Sequence, residues 1–92
     1  MKLEDTIGLM CSEDYKDRMK AEYIQLCIRH NKLQRMIARY SKHELDFEPT
    51  CPSALLIAQE LAMSQYREIM RQRLSLEDVP IGEILETLME EE

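Results

Sequence analysis

Five cations, Arg29, Lys32, Arg35, Arg39 and Lys42, follow one another at spacings of three, three, four and three. At about 3.6 residues per turn, such spacings gather side chains along one broad face of a helix. No acid stands between Glu22 and Glu44, so the helix itself offers these cations no i,i+4 carboxylate. Two more arginines, Arg67 and Arg71, come later in the chain, with Tyr66 beside them. Converging guanidinium and ammonium groups bind phosphate, Arg through its planar two-pronged fork. A tyrosine ring can stack on a nucleobase. Arg29, Lys32, Arg35, Arg67, Arg71 and Tyr66 are therefore the candidate ligand-binding residues. The competing reading is structural: the cations pair with Glu60, Glu68 or the acidic tail, and Tyr15, Tyr23, Tyr40 and Tyr66 pack in the core.

Chemistry that makes or breaks bonds finds little support. The chain has two glycines, too few for a phosphate loop, and it carries no GxSxG, HExxH or DxD pattern. Cys11, Cys27 and Cys51 are odd in number and widely spaced, so neither a zinc site nor a disulfide framework is expected. His30 and His43 complete no ligand set, and His30 reads as a packed, hydrogen-bonded histidine. No enzyme, cofactor or metal is expected.

The elements that must position these residues are helical. The 92 residues allow one domain at most. They are rich in Leu, Met, Glu, Arg, Gln and Ala, with few breakers. Met1 to Cys11 reads as a short arm (1–11). Ser12, followed by Glu13 and Asp14, reads as a helix start, the hydroxyl as cap and the acids at the positive dipole end. Nothing then breaks a helix until Ser41. Along it Tyr15, Met19, Tyr23, Leu26, His30, Leu33, Ile37 and Tyr40 form a seam at spacings of three and four. Ser41 to Cys51 is a connection with Leu45 and Phe47 expected to turn inward. Pro52 fits the first turn of a second helix reaching about Leu74, and a short connection makes the two antiparallel. The hairpin thus covers 12–74. Ser75 with Asp78 matches a capping box, and Ile81, Ile84, Leu85, Leu88 and Met89 pattern a short, acidic, amphipathic helix in 75–92. The expected fold is all-α: a long antiparallel hairpin plus a short C-terminal helix, stabilised by self-association.

The net charge of −6 hides an uneven field. Tyr15 to His43 holds eight basic and two acidic residues, whereas Leu74 to the end holds seven acids and no cation. A negative total without interleaved aromatic and basic residues disfavours nucleic acid as partner. The start of the chain has acids where a leader peptide needs an apolar run, and no stretch has membrane-spanning length. A cytoplasmic protein without a membrane partner is expected.

Particular stretches also carry a resemblance. SEDYKDRMKAEYIQLCIRHNKLQRMI, with LDFEPTCPSALLIAQELAMSQYREIMRQR after it, resembles a group of small phage and prophage proteins found in crAss-like phages and prophages of gut bacteria. The likeness runs from about Ser12 to Arg73. The layout is similar, too, to the helical hairpins of phage anti-CBASS and Thoeris anti-defence sponges. That second likeness rests on Asn31, Lys32 and Leu33 in the first helix and on Arg67 and Arg71 in the second. It implies a homo-oligomer, from dimer to hexamer, that sequesters cyclic nucleotide immune signals without cleaving them, in the cytoplasm of an infected bacterium. The alternative is an anti-CRISPR-like inhibitor that engages a bacterial defence enzyme through acidic and apolar helix faces.

Overall fold

The computed structural model describes residues 1–82 and 84. Within them lie a 3₁₀ turn, Leu3–Thr6, and three α-helices: α1 (Ile7–Met10), α2 (Tyr15–Ser41) and α3 (Ser53–Leu76). No strand occurs among the described residues. The fold is all-helical, with α2 and α3 packed as the antiparallel hairpin that the three-and-four spacing implies. The expected C-terminal amphipathic helix lies almost wholly outside the described residues. Of it, Gly82 and Ile84 are helical, and Ile81 and Ile84 rest against the core.

Helix α2 starts later than the capping hydroxyl of Ser12 suggests. Asp14, in extended geometry, is the N-cap and accepts a hydrogen bond from the Lys16 amide at 2.9 Å. Ser12 is occupied otherwise: its hydroxyl donates to Asp17 Oδ2 at 2.8 Å and accepts from the Asp14 amide at 3.1 Å. Pro52 is likewise the N-cap of α3 rather than part of its first turn. Its carbonyl accepts from the amides of Leu55 and Leu56.

Both long helices end in the same way. At the end of α2, His43 turns left-handed at φ 57°, with His43 N–H bonded to Tyr40 C=O and Glu44 N–H to Arg39 C=O. At the end of α3, Asp78 repeats φ 57°, with Asp78 N–H bonded to Ser75 C=O and Val79 N–H to Leu74 C=O. These are Schellman motifs, which satisfy the last orphan carbonyls and reverse the chain. Ser75 therefore lies inside α3, and the Ser75–Asp78 pair closes a helix instead of opening one. Buried Val79 folds back beside fully buried Leu74, supplying the apolar contact that accompanies the motif.

The core is concentrated at one end of the hairpin. Met19, Tyr23, Ile24, Leu26, Cys27 and Ile28 of α2 pack with Met70 and Leu74 of α3 and with Val79. The N-terminal arm forms a third layer there through Met1, Leu3 and Leu9. Buried Thr6 donates its hydroxyl to Leu3 C=O and accepts from Gln25 Nε2. The opposite end, α2 from Asn31 onward and the start of α3, has no such layer, and Leu56 is the one residue of residues 53–62 that is buried.

Candidate functional site

The inward seam of α3 is Leu56, Glu60, Met63, Arg67, Met70 and Leu74, a strict alternation of four and three. Apolar residues occupy both ends of this line, and two charged residues occupy its middle. Glu60 and Arg67 meet there on His30, which is only 3% exposed. Arg67 Nη1 stands 3.2 Å from His30 Nδ1 and donates to Asn31 Oδ1 at 2.9 Å. A guanidinium can only donate, so Nδ1 is the acceptor and Nε2 carries the imidazole proton. Nε2 then donates to Glu60 Oε1 at 3.0 Å. Glu60 also accepts from Gln34. The His30 hydrogen bond, and after it that of Gln34, hold the Glu60 carboxyl below its ordinary range. Burial pushes the Tyr23 hydroxyl and the Cys27 thiol up, and the nearby Arg67 guanidinium counters both shifts in part. Arg67 is thus built into the helix interface.

Other candidates are also hydrogen-bonded within the hairpin. Arg71 grips Glu68 through Nε at 2.9 Å and Nη2 at 2.6 Å, one turn away on α3. This pair holds the Glu68 carboxyl down to about 2. Tyr66 donates its hydroxyl to Glu22 on α2. Arg29 is exposed on α2 and does not line the basic groove described next.

Lys32 and Arg35 are brought together. With Arg39 they form the basic wall of a groove of about 520 Å³, completed by Met36, Ala38, Leu45 and Phe47. The Schellman turn at His43 explains the arrangement: it folds the connection back along α2, so that Leu45 and Phe47 return beside side chains one to three turns earlier. Phe47, expected to turn inward, is instead 55% exposed, with its ring available at the groove wall. No described residue forms an ion pair with Lys32 or Arg39. Arg35 and Ala38 also line a shallower depression with Asn31 and Gln34, which extends the groove toward the seam network. Around the hairpin tip an apolar slot of about 250 Å³ lies between Ile37, Tyr40, Leu56 and Ile57.

Cations on one wall and an aromatic ring on the other suit a ligand that is both anionic and planar. Arg39 belonged to the basic stripe by its spacing. Phe47 carried no comparable signal, because its position depends on a left-handed residue that is not glycine. Among the described residues no cluster of His, Cys, Asp and Glu could hold a metal ion, and no helix of the described residues is long and apolar enough to cross a membrane.

Residues 13–76, which are α2, the connection and α3, match the family model described as Sequestin. Neither a curated protein nor a solved structure matches the chain.

Proposed function

The chain belongs to the Sequestin family, and from that premise we propose that it binds a phosphate-bearing cyclic nucleotide signal of bacterial antiviral defence and sequesters it intact, as a phage anti-defence protein. The family name denotes sequestration, a binding role. The observation that carries the finer reading is the groove in which Lys32, Arg35 and Arg39 face the exposed ring of Phe47. Phosphates sit on the cations, Arg35 and Arg39 offering two-pronged contacts and Lys32 a point charge. A base stacks on Phe47, a contact worth about 1–3 kcal/mol. Met36 and Leu45 adapt to the ribose and base edges. Of the other candidates, Arg67 keeps the adjoining surface in register by holding Asn31 and His30, whereas Arg29, Arg71 and Tyr66 contribute long-range field and packing. Sequestration acts by stoichiometry, so it needs slow release from a preorganised pocket and no turnover.

Titration calorimetry of ligand-stripped protein against cyclic di- and trinucleotides tests the reading. A saturable heat is expected for at least one of them, with the nucleotide recovered chemically unchanged after denaturation. Lys32→Glu and Arg39→Glu should each weaken binding by roughly tenfold or more, as expected for one charge-assisted phosphate contact. Phe47→Ala should do so without altering the salt dependence. Absence of heat with every nucleotide in the panel would sink the proposal.

A further inference from the structure

Two carboxamides beside the basic groove are not free to turn. Asn31 is half-buried on α2, and Gln34 stands exposed one turn further on. Arg67 Nη1 donates to the Asn31 carboxamide at 2.9 Å, and the Gln34 carboxamide donates to Glu60 Oε1 at 3.2 Å. A guanidinium can only donate and a carboxylate can only accept. The Asn31 atom that faces Arg67 must therefore be Oδ1, and the Gln34 atom that faces Glu60 must be Nε2. An ordinary surface carboxamide rotates and offers either atom to a ligand. These two are held by charged partners on α3, which leaves Asn31 Nδ2 as a donor and Gln34 Oε1 as an acceptor. No described residue hydrogen-bonds to either atom.

Both residues line a depression of about 220 Å³ together with Arg35 and Ala38, and Arg35 and Ala38 also line the basic groove. Asn31, Arg35 and Ala38, spaced by four and three, share one face of α2. The small side chain of Ala38 leaves the way between depression and groove open. The charges behind the carboxamides, Glu60 and Arg67, are opposite in sign, whereas those of Lys32, Arg35 and Arg39 add. A phosphate thus settles among the groove cations, and the carboxamides are left to a neutral polar group.

We infer, on the premise of the phosphate-binding groove proposed above, that Asn31 and Gln34 are specificity-determining residues that read the edge of a nucleobase. Asn31 Nδ2 donates to a ring nitrogen or carbonyl of the base, and Gln34 Oε1 accepts from the N–H beside it. Adenine presents such a pair at its amino group and the neighbouring ring nitrogen, and guanine presents one at O6 and N1–H. A ligand with two bases then spans the groove, one base on Phe47, the other at the carboxamides and its phosphates on the cations. Because the polarity is fixed, a base without the N–H leaves the Gln34 oxygen facing an acceptor. Glu60 and Arg67 are positioning residues, each acting through the carboxamide it holds.

Side-chain amide NMR of the full, ligand-stripped chain tests this with four probes: ribose 5-phosphate, AMP, GMP and purine riboside 5′-monophosphate, which lacks the amino group. Ribose 5-phosphate should shift groove signals and leave the Asn31 and Gln34 carboxamides in place. AMP or GMP should shift both carboxamides, and the larger response names the base. With the other base platform removed by Phe47→Ala, the nucleotide so named should bind roughly fivefold or more tighter than the purine riboside phosphate, as a paired donor and acceptor contact predicts. Asn31→Asp keeps the acceptor for Arg67 and removes the outward donor. Gln34→Lys keeps a donor for Glu60 and removes the outward acceptor. Each, placed in the Phe47→Ala chain, should bring that ratio close to one, while thermal melting shows the hairpin intact. Groove shifts with every probe, but carboxamides that neither AMP nor GMP moves, would overturn the inference and leave the groove reading standing. A ratio that both variants preserve overturns it as well. Silence of the groove signals toward all four probes would remove the phosphate site itself, and the base-reading role with it.

Discussion

His30 shows what one buried side chain does for the interface. It accepts from Arg67 and donates to Glu60, so each of two α3 charges has a hydrogen-bond partner inside the helix interface. Removing the ring takes one hydrogen bond from each and leaves Glu60 with Gln34 and Arg67 with Asn31. His30→Ala should destabilise the hairpin by about 2–3 kcal/mol, combining a small cavity with lost hydrogen bonds to charged groups, and chemical denaturation will measure it. Acid tests the same network from the other side. The Glu60 carboxyl is depressed in the folded chain by His30 and Gln34. A depressed carboxylate contributes stability that is complete above its ordinary value and is lost as pH falls through the folded value. The melting temperature should therefore fall below about pH 4.5, the ordinary value for Glu60, and Glu60→Gln should flatten that acid limb. The packed, hydrogen-bonded character of His30 was legible in its place on the seam. Its partners were not, because they lie 30 and 37 residues away in the chain and only the hairpin register brings them near.

Helices α2 and α3 owe their extent to an absence of breakers and their ends to backbone geometry. Each terminates on a left-handed residue that is not glycine, His43 and Asp78. For an L-residue that conformation costs roughly 1–2 kcal/mol, and glycine removes it at an unfolded-state entropy cost of about 0.5–1 kcal/mol. Asp78 also places a carboxylate at the negative end of α3. Asp78→Gly should thus stabilise the chain by about 0.5–1 kcal/mol, visible as a higher melting temperature. No change, or a loss, would mean that the carboxylate makes a compensating contact. The two helices and their antiparallel pairing were readable from the apolar rhythm, whereas their caps were not. Ser75-x-x-Asp78 satisfies the string of a capping box, yet the string does not distinguish a helix start from a helix end when the deciding feature is one positive φ. The inward face of α3 was equally hidden. Leu55, Ala62 and Ile69 keep a helical period as well as Leu56, Met63 and Met70 do, so periodicity alone marks two stripes where the fold buries one.

The whole molecule is stabilised unevenly, and the basic groove sits at its weaker end. Around Tyr23, Ile24, Met70 and Leu74 three layers meet, counting the N-terminal arm. From Asn31 to Ser41 and from Ser53 to Ala62 two helices meet with few buried side chains. Local opening follows buried apolar contact, so amide hydrogens of residues 33–41 and 55–62 should exchange faster than those of residues 19–30 and 70–76. The cations of the groove were readable from their spacing. The aromatic wall was not, since Phe47 reaches it only through the reversal at His43. That geometry makes exchange a reporter of binding. A ligand bridging Lys32, Arg35 and Arg39 on α2 to Phe47 on the connection would fasten the connection to the helix. Exchange should then slow in residues 35–47 and change little in the already protected core. A nucleotide that instead protected the Arg67 and Arg71 region, leaving residues 35–47 as they were, would move the contact site to the helix interface and require the Glu68–Arg71 pair to open.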